Sequence, residues 1–144
     1  MKRFVLQFLL AFVLLSAGGL IYIMFRPDTT LLFYTLVKAG FAESLYQIRA
    51  AATASLPYWV VYCLPNALWV AAYILITDMV LTGWAMRPKL LAASVIMAVG
   101  VASEMLQSVA WVPGTFDLAD IVAYTAPYLL YTFWIFTKNK ITVS

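Results

Sequence analysis

Two polar residues, Glu104 and Gln107, lie inside a run of otherwise apolar sequence. An ionisable side chain within such a segment costs about 2.5–3.5 kcal/mol on membrane-insertion scales, so it is a functional candidate by default. Residues three apart lie on the same face of a helix, and these two side chains should therefore meet. The pair forms a candidate polar site, in which Glu104 is also a candidate general base.

A second polar pair, the two acidic residues Asp117 and Asp120, follows after a turn that contains Thr115. The turn is short, so the helices on either side of it should be antiparallel neighbours. The two polar pairs and Thr115 are therefore predicted to gather at one outward-facing side of the protein. Within this group we expect the carboxyl groups of Glu104 and Asp120 to approach within one hydrogen bond or one bridging water.

Asn66 is a further polar residue inside an apolar segment, and we include it in the candidate site. Structural roles compete with binding roles at several of these positions. Asn66 can join two membrane helices by a hydrogen bond. Asp117 is well placed as a helix N-cap, and Asp120 then lies where a carboxylate favours the helix dipole.

Glu104 also has a structural alternative. Its carboxylate can pair with a cation, for which Arg49 and Arg26 are the candidates. It can equally be protonated and hydrogen-bonded to Gln107. Both alternatives stay open from the sequence.

The residue types limit the chemistry. There is no histidine, and the single cysteine, Cys63, lies in an apolar run. One cysteine makes neither a disulfide framework nor a metal cluster. We therefore expect no cofactor, although the oxygen ligands of Asp117 and Asp120 would suit a divalent cation such as Mg²⁺ or Ca²⁺.

Composition indicates a membrane protein. Of the 144 residues, 65% are hydrophobic and only 10% are charged, whereas a soluble domain carries about a quarter charged residues. The length allows one membrane domain, 1–144, and no soluble domain beside it. The basic residues stand singly or in pairs at the ends of apolar runs, which argues against nucleic-acid binding.

The apolar runs predict an all-α polytopic membrane protein, built as a bundle of four transmembrane helices with one short interfacial helix. The predicted spans are 4–25, 57–77, 90–111 and 118–137. Residues 41–55 have amphipathic helical spacing and are predicted to lie in the interface, with a solvated loop helix as the alternative. A signal peptide is the alternative for the first span, although such apolar cores are usually about 7–15 residues long.

The distribution of Lys and Arg predicts the orientation. Six of these residues lie on the side of the two termini and three on the other side, which puts both termini in the cytoplasm of a bacterial inner membrane. The six are Lys2, Arg3, Arg87, Lys89, Lys138 and Lys140, and the three are Arg26, Lys38 and Arg49.

The segment from Glu104 to Tyr124 resembles the signature of VanZ-like membrane proteins. That pattern is a Glu-x-x-Gln, a turn containing Arg, an Asp in the next helix, and an Asn followed by Gly. The residues that match by position are Glu104, Gln107 and Asp120. The resemblance covers about forty residues and implies a small protein of a few transmembrane helices in the cell envelope, with a link to low-level resistance to the glycopeptide teicoplanin.

Three positions depart from this pattern. The family Arg falls near Gly114, the Asn falls at Tyr124, and the Gly falls near Pro127. The missing Arg removes the obvious counter-charge for the acidic residues.

Three functions follow as hypotheses. The first is a VanZ-like envelope protein whose acidic pocket binds a lipid head group or a cell-wall precursor and modulates sensitivity to glycopeptide-type antibiotics. The second is a small accessory subunit of a larger membrane complex. The third is an intramembrane enzyme with Glu104 as its base, which the lack of histidine and of any recognisable nucleophile disfavours.

Overall fold

This computed structural model describes residues 2–28, 30–52, 55–112 and 114–143. The described residues form helices and loops and contain no strand, so the all-α prediction is confirmed. The helices are α1 (Lys2–Phe25), α2 (Leu31–Leu36), α3 (Ala42–Ala51), α4 (Tyr58–Tyr62), α5 (Leu64–Val80), α6 (Met86–Ser108) and α7 (Leu118–Val143), with a π-helical turn at Val37–Phe41 before α3.

Helix α5 lies at the centre and packs against α1, α6 and α7. Its Asn66 contacts Asp120 near the start of α7, and its Asp78 contacts Tyr131 further along α7, so α5 and α7 run parallel. Asp78 also contacts Arg3 at the start of α1, so α1 runs antiparallel to both. The bundle thus has an Asp78 end and a Glu104 end.

Two glycines let the helices approach closely. A Cβ atom on Gly18 of α1 would lie 2.6 Å from Nε1 of Trp69 on α5. A Cβ atom on Gly100 of α6 would lie 2.6 Å from the ring of Tyr124 on α7. Both distances are far below van der Waals contact, so a larger residue at either place would force the paired aromatic ring to move.

One cluster of buried core residues lies between α5, α6 and α7. Its buried members are Val70, Ile74, Ala93, Tyr131 and Ile135. The outer faces of the long helices are apolar as well, with side chains such as Leu6, Leu91 and Leu130 exposed. The helices therefore present apolar surface on both sides.

Helices α1 and α6 are long and apolar enough to cross a membrane, by the criteria of length and composition. Helix α5 is shorter, with 17 residues, and α7 is not among the helices that meet both criteria. Among the described residues, two helices therefore meet both criteria, and the four-span bundle stays a prediction.

The predicted second span is interrupted at Cys63, which separates α4 from α5. Pro65 stands in the first turn of α5 and has no N–H group, so it cannot donate a helical hydrogen bond to the carbonyl of Val61. Arg26 donates instead to the carbonyls of Val61 and Tyr62. The break is thus a local consequence of proline, and its free carbonyls are satisfied from the end of α1.

The helix observed in the region of the predicted interfacial helix, 41–55, is shorter than predicted. Gly40 has a non-helical φ of 93°, which kinks the chain within the Val37–Phe41 turn, and α3 follows over Ala42–Ala51. Residues 53–54 of the prediction lie outside the described part of the chain. Arg49 of α3 donates to the carbonyls of Ile23 and Arg26 at 2.8 and 2.6 Å. Since the last carbonyls of a helix lack intrahelical partners, Arg49 caps the C-terminus of α1.

Candidate functional site

A polar cavity of about 460 Å³ opens at the Glu104 end of the bundle. It lies where α1 and α6 end and where α5 and α7 begin. All six residues of the candidate polar pocket line it, namely Asn66, Glu104, Gln107, Thr115, Asp117 and Asp120. Of the two candidate charge partners, Arg26 also lines the cavity, whereas Arg49 is not among its lining residues.

Glu104 is buried, with 3% of its surface exposed. Its Oε2 accepts a hydrogen bond of 3.1 Å from the backbone N–H of Asp117, and its Oε1 accepts one of 3.4 Å from Nε2 of Gln107. Gln107 therefore lies beside Glu104 as the helical spacing predicts. The carboxylate fastens the end of α6 to the loop that enters α7.

Asp117 uses both carboxylate oxygens. Oδ1 accepts from the backbone N–H of Ala119 at 2.8 Å, the geometry of an N-cap on α7. Oδ2 accepts from the hydroxyl of Tyr58 at 2.9 Å. The capping role is therefore present, and a second contact joins α4 to the start of α7. Sequence reasoning missed Tyr58 as a partner, because its separation of 59 residues from Asp117 leaves no local signal.

Asp120 pairs with Asn66. The amide nitrogen of Asn66 donates to Oδ1 of Asp120 at 3.0 Å and to the carbonyl of Tyr62 at 3.3 Å. Asn66 thus joins α5 to α7, as expected for a polar residue between helices. Asp120 and Glu104 share the cavity, but each carboxylate has its own hydrogen-bond donor rather than a direct bond to the other.

The carboxylates in this cavity have neutral donors. Among the described residues, the ion pairs within 4.0 Å both involve Asp78, at the opposite end of the bundle. A pair between Glu104 and Arg49, one of the structural alternatives, is not among these described ion pairs, and Arg49 instead caps α1. Arg26 is held by the two backbone carbonyls of α4 and by the rings of Tyr22 and Tyr62, 4.7 and 5.1 Å from its guanidinium carbon.

Gly114 and Gln107 are sterically linked. Gly114 has a φ of 144°, and a Cβ atom there would lie 2.3 Å from Oε1 of Gln107. This is the position near which VanZ-like proteins carry Arg. In this chain a side chain at 114 would displace the Gln107 amide from its place beside Glu104. The observed position of Gln107 therefore requires glycine at 114.

Aromatic rings form much of the remaining wall, and they are Tyr22, Tyr58, Tyr62, Trp69 and Tyr124. The faces of such rings attract cations. Three carboxylates and one guanidinium therefore share the cavity with several rings, an arrangement suited to an organic cation. No group of three or more metal-ligating side chains occurs among the described residues. A divalent cation at Asp117 and Asp120 stays a prediction.

Sequence reasoning also overlooked Asp78, which is 3% exposed and lies at the other end of the bundle. Oδ2 accepts from Arg3 at 3.2 Å and from Gln7 at 3.0 Å. Oδ1 accepts from Lys89 and from Tyr131, both at 3.1 Å. One carboxylate therefore joins α1, α5, α6 and α7. The available signal was an Asp directly after an apolar run, with basic residues near the ends of two other runs.

No family model, curated protein or solved structure matches this chain. The resemblance to VanZ-like proteins accordingly rests on the residues of the Glu104–Tyr124 segment.

Proposed function

We propose that the chain is a multi-pass protein of the bacterial inner membrane, with four spans and both termini in the cytoplasm. Helix α6 carries the membrane part of this proposal. It lies inside the chain, whereas a signal peptide lies near the N-terminus. Only 17% of its most apolar stretch of 18 residues is buried, whereas the core helix of a soluble protein is mostly buried. In α1, 11% of the corresponding stretch of 18 residues is buried. Lipid is the solvent that suits exposed apolar helices.

The other two spans would be α5 with α4, and α7. Helix α5 extends over roughly 26 Å at 1.5 Å per residue, close to the hydrocarbon thickness of about 30 Å, and α4 extends it at the Glu104 end. The 26 residues of α7 exceed the required length. The contacts among the four helices give them alternating directions, which is the order that four consecutive spans require.

Cysteine labelling tests this topology. In a Cys63→Ala background, an impermeant thiol reagent added to intact cells should modify Thr115→Cys and leave Met86→Cys unmodified. Both variants should react after the membrane is permeabilised, which controls for accessibility. Labelling of Met86→Cys alone in intact cells would reverse the orientation, and labelling of both would contradict the span that separates them.

Within this topology, we propose that the cavity at the Glu104 end opens to the outside and binds the primary ammonium group of a lipid head group or a cell-wall precursor. The observation that carries the proposal is the charge balance of the cavity, where Glu104, Asp117 and Asp120 are bonded to neutral donors. A ligand ammonium would supply the missing positive charge and donate charge-assisted hydrogen bonds. The tyrosine and tryptophan rings would surround its aliphatic part.

The resemblance to VanZ-like proteins supports the envelope role. On this proposal, occupancy of the pocket modulates sensitivity to glycopeptide-type antibiotics, because these drugs act on the cell-wall precursors that the pocket recognises or competes for. The match of Glu104, Gln107 and Asp120 to the family pattern falls on residues that line one cavity.

Equilibrium binding to the purified protein tests the ligand class. Phosphatidylethanolamine and a lysine-containing cell-wall peptide represent the two sources of an ammonium group. Glu104→Gln should weaken binding of the recognised probe by about tenfold or more, the value of a hydrogen bond to a charged group. Glu43→Gln removes the same charge from an exposed position on α3 and should bind normally. Equal binding by both variants, or binding of neither probe to the wild type, would refute the ligand class.

The accessory-subunit hypothesis is supported by a different observation, the apolar outer faces of α1 and α7. Purification in mild detergent separates it from the pocket proposal. A stoichiometric protein partner that remains after Glu104→Gln would favour the subunit, whereas a co-purified amine-bearing lipid or precursor that is lost in this variant would favour the pocket.

A further inference from the structure

Two cavities lie side by side at the Asp78 end of the bundle. One is a groove of about 700 Å³ between α1, α5 and α7, and the other is a pocket of about 290 Å³ that reaches α6. Arg3, Asp78 and Trp134 line both cavities. The groove and the pocket are therefore adjoining, because they share three lining residues.

The groove is apolar along its length. Starting from Arg3 and Asp78, it continues toward the middle of the bundle between side chains that include Leu6, Leu68, Ala71, Leu75 and Leu130. Leu6 and Leu130 are 67% and 70% exposed. The groove is thus open to the surroundings of the bundle, and in a bilayer it would face the acyl chains of lipids.

The pocket next to the groove is basic. Its charged residues are Arg3, Lys89, Lys138 and Asp78, three cations and one carboxylate. Arg3 keeps 57% of its side chain exposed although one of its nitrogens contacts Asp78. The ammonium of Lys138 lies 5.2 Å from the ring centroid of Trp134, whose indole forms part of the wall between groove and pocket. The described lining of the pocket therefore holds three basic side chains and one carboxylate beside an apolar channel.

We propose that this groove and pocket bind one anionic phospholipid of the cytoplasmic leaflet. The phosphate lies in the basic pocket near Arg3 and Lys138, and one acyl chain lies in the groove along α5. The charge and the adjoining apolar channel together match the two halves of such a lipid, and basic pockets between membrane helices on the cytoplasmic side are suited to anionic head groups. The inference rests on the membrane topology proposed above and is independent of what the Glu104 cavity binds.

Native mass spectrometry of the detergent-solubilised protein tests the head-group half. With equal amounts of phosphatidylglycerol and phosphatidylcholine, the wild type should retain phosphatidylglycerol preferentially at one lipid per chain. Lys138→Gln should reduce this retention by about fivefold, the effect of one basic residue near an anionic surface. Lys38→Gln removes the same charge from an exposed residue at the other end and should behave as the wild type.

A second pair of variants tests the acyl-chain half. Ala71→Phe places a ring in the groove and should lower retention of both lipids, whereas Ala102→Phe makes the same change on the exposed face of α6 and should not. Equal retention of the two lipids, or normal retention in both Lys138→Gln and Ala71→Phe, would overturn the site. A lipid-free dimer that Ala71→Phe dissociates would overturn it as well, since a second copy would then occupy the groove. Failure of the topology itself would appear separately, in the cysteine labelling.

Discussion

Asp78 and Glu104 are equally buried, each with 3% of its surface exposed, but their surroundings differ in charge. Asp78 accepts hydrogen bonds from two cations, an amide and a phenol that belong to three other helices. Glu104 accepts from one amide and one backbone N–H, both within the short segment from α6 to α7. The first carboxylate is neutralised by the fold and holds it together, whereas the second has neutral hydrogen-bond donors and, on our proposal, binds the ammonium group of a ligand.

Asp78→Ala should have the largest effect on stability. The change leaves Lys89, whose side chain is 15% exposed, and Tyr131 without their acceptor inside the bundle, and it leaves the half-exposed Arg3 without its carboxylate. Removing one partner of a buried ion pair costs about 3–5 kcal/mol. The melting temperature and the yield in detergent should fall sharply, and Asp28→Ala, at an exposed loop acid, should leave both unchanged. A stable Asp78→Ala protein would show that this end does not hold the helices together.

Arg49→Gln should have the next largest effect on stability. It also tests whether Glu104, unlike Asp78, lacks a cationic partner. Arg49 caps α1 through two backbone carbonyls, so its loss should cost about 1.5–3 kcal/mol. Because Glu104 is not its partner, the effects of Arg49→Gln and Glu104→Gln on unfolding free energy should add within about 0.5 kcal/mol. A double variant that is more stable than Arg49→Gln alone would instead reveal a charge pair between them.

Gly114→Ala should act locally. Its φ of 144° is strained for any residue with a Cβ, and that atom would meet the Gln107 amide. The strain should cost on the order of 1 kcal/mol or more, and displacement of Gln107 should weaken binding at the cavity. Gly19→Ala is a suitable control, since a Cβ there meets no other atom within 4 Å. Unchanged ligand binding in Gly114→Ala would remove Gln107 from the site.

Asp117→Asn should have the smallest effect on folding. Asn caps a helix about as well as Asp, so the unfolding free energy should change by only a few tenths of a kcal/mol. The cavity nevertheless loses one negative charge, and binding of an ammonium ligand should weaken. Normal binding in this variant would assign Asp117 to capping alone. A large drop in melting temperature would indicate that the hydrogen bond from the Tyr58 hydroxyl requires the carboxylate of Asp117.

The parts that the sequence predicted depend on local spacing. The pairs at 104 and 107 and at 117 and 120 lie near each other because helical period and a short turn leave few alternatives, and all four line one cavity. The cap at Asp117 follows from the same local rule. Pro65 was visible in the sequence as a kink within the second span, and the break at Cys63 lies beside it.

The remaining contacts depend on which helices pack together, and the sequence contains no local trace of that choice. Asp78 meets Arg3 across 75 residues, and Tyr58 meets Asp117 across 59. Arg49 was considered as a partner for Glu104 on charge alone, but the free carbonyls at the end of α1 use its donors. Charge complementarity identifies candidates, and only packing selects among them.

The shift in melting temperature on adding an amine-bearing ligand tests the central claim most directly. Phosphatidylethanolamine, or the lysine-containing peptide if that is the probe that binds, should raise the melting temperature of the wild type because it binds the folded state. Glu104→Gln should begin at nearly the same melting temperature and show no rise. The variant keeps the shape of the side chain and one acceptor oxygen for the N–H of Asp117, and rotation of the Gln107 amide lets its oxygen accept from the new NH2 group. A Glu104→Gln protein that melts much earlier and still responds to the ligand would contradict the account, because Glu104 would then be structural, as Asp78 is.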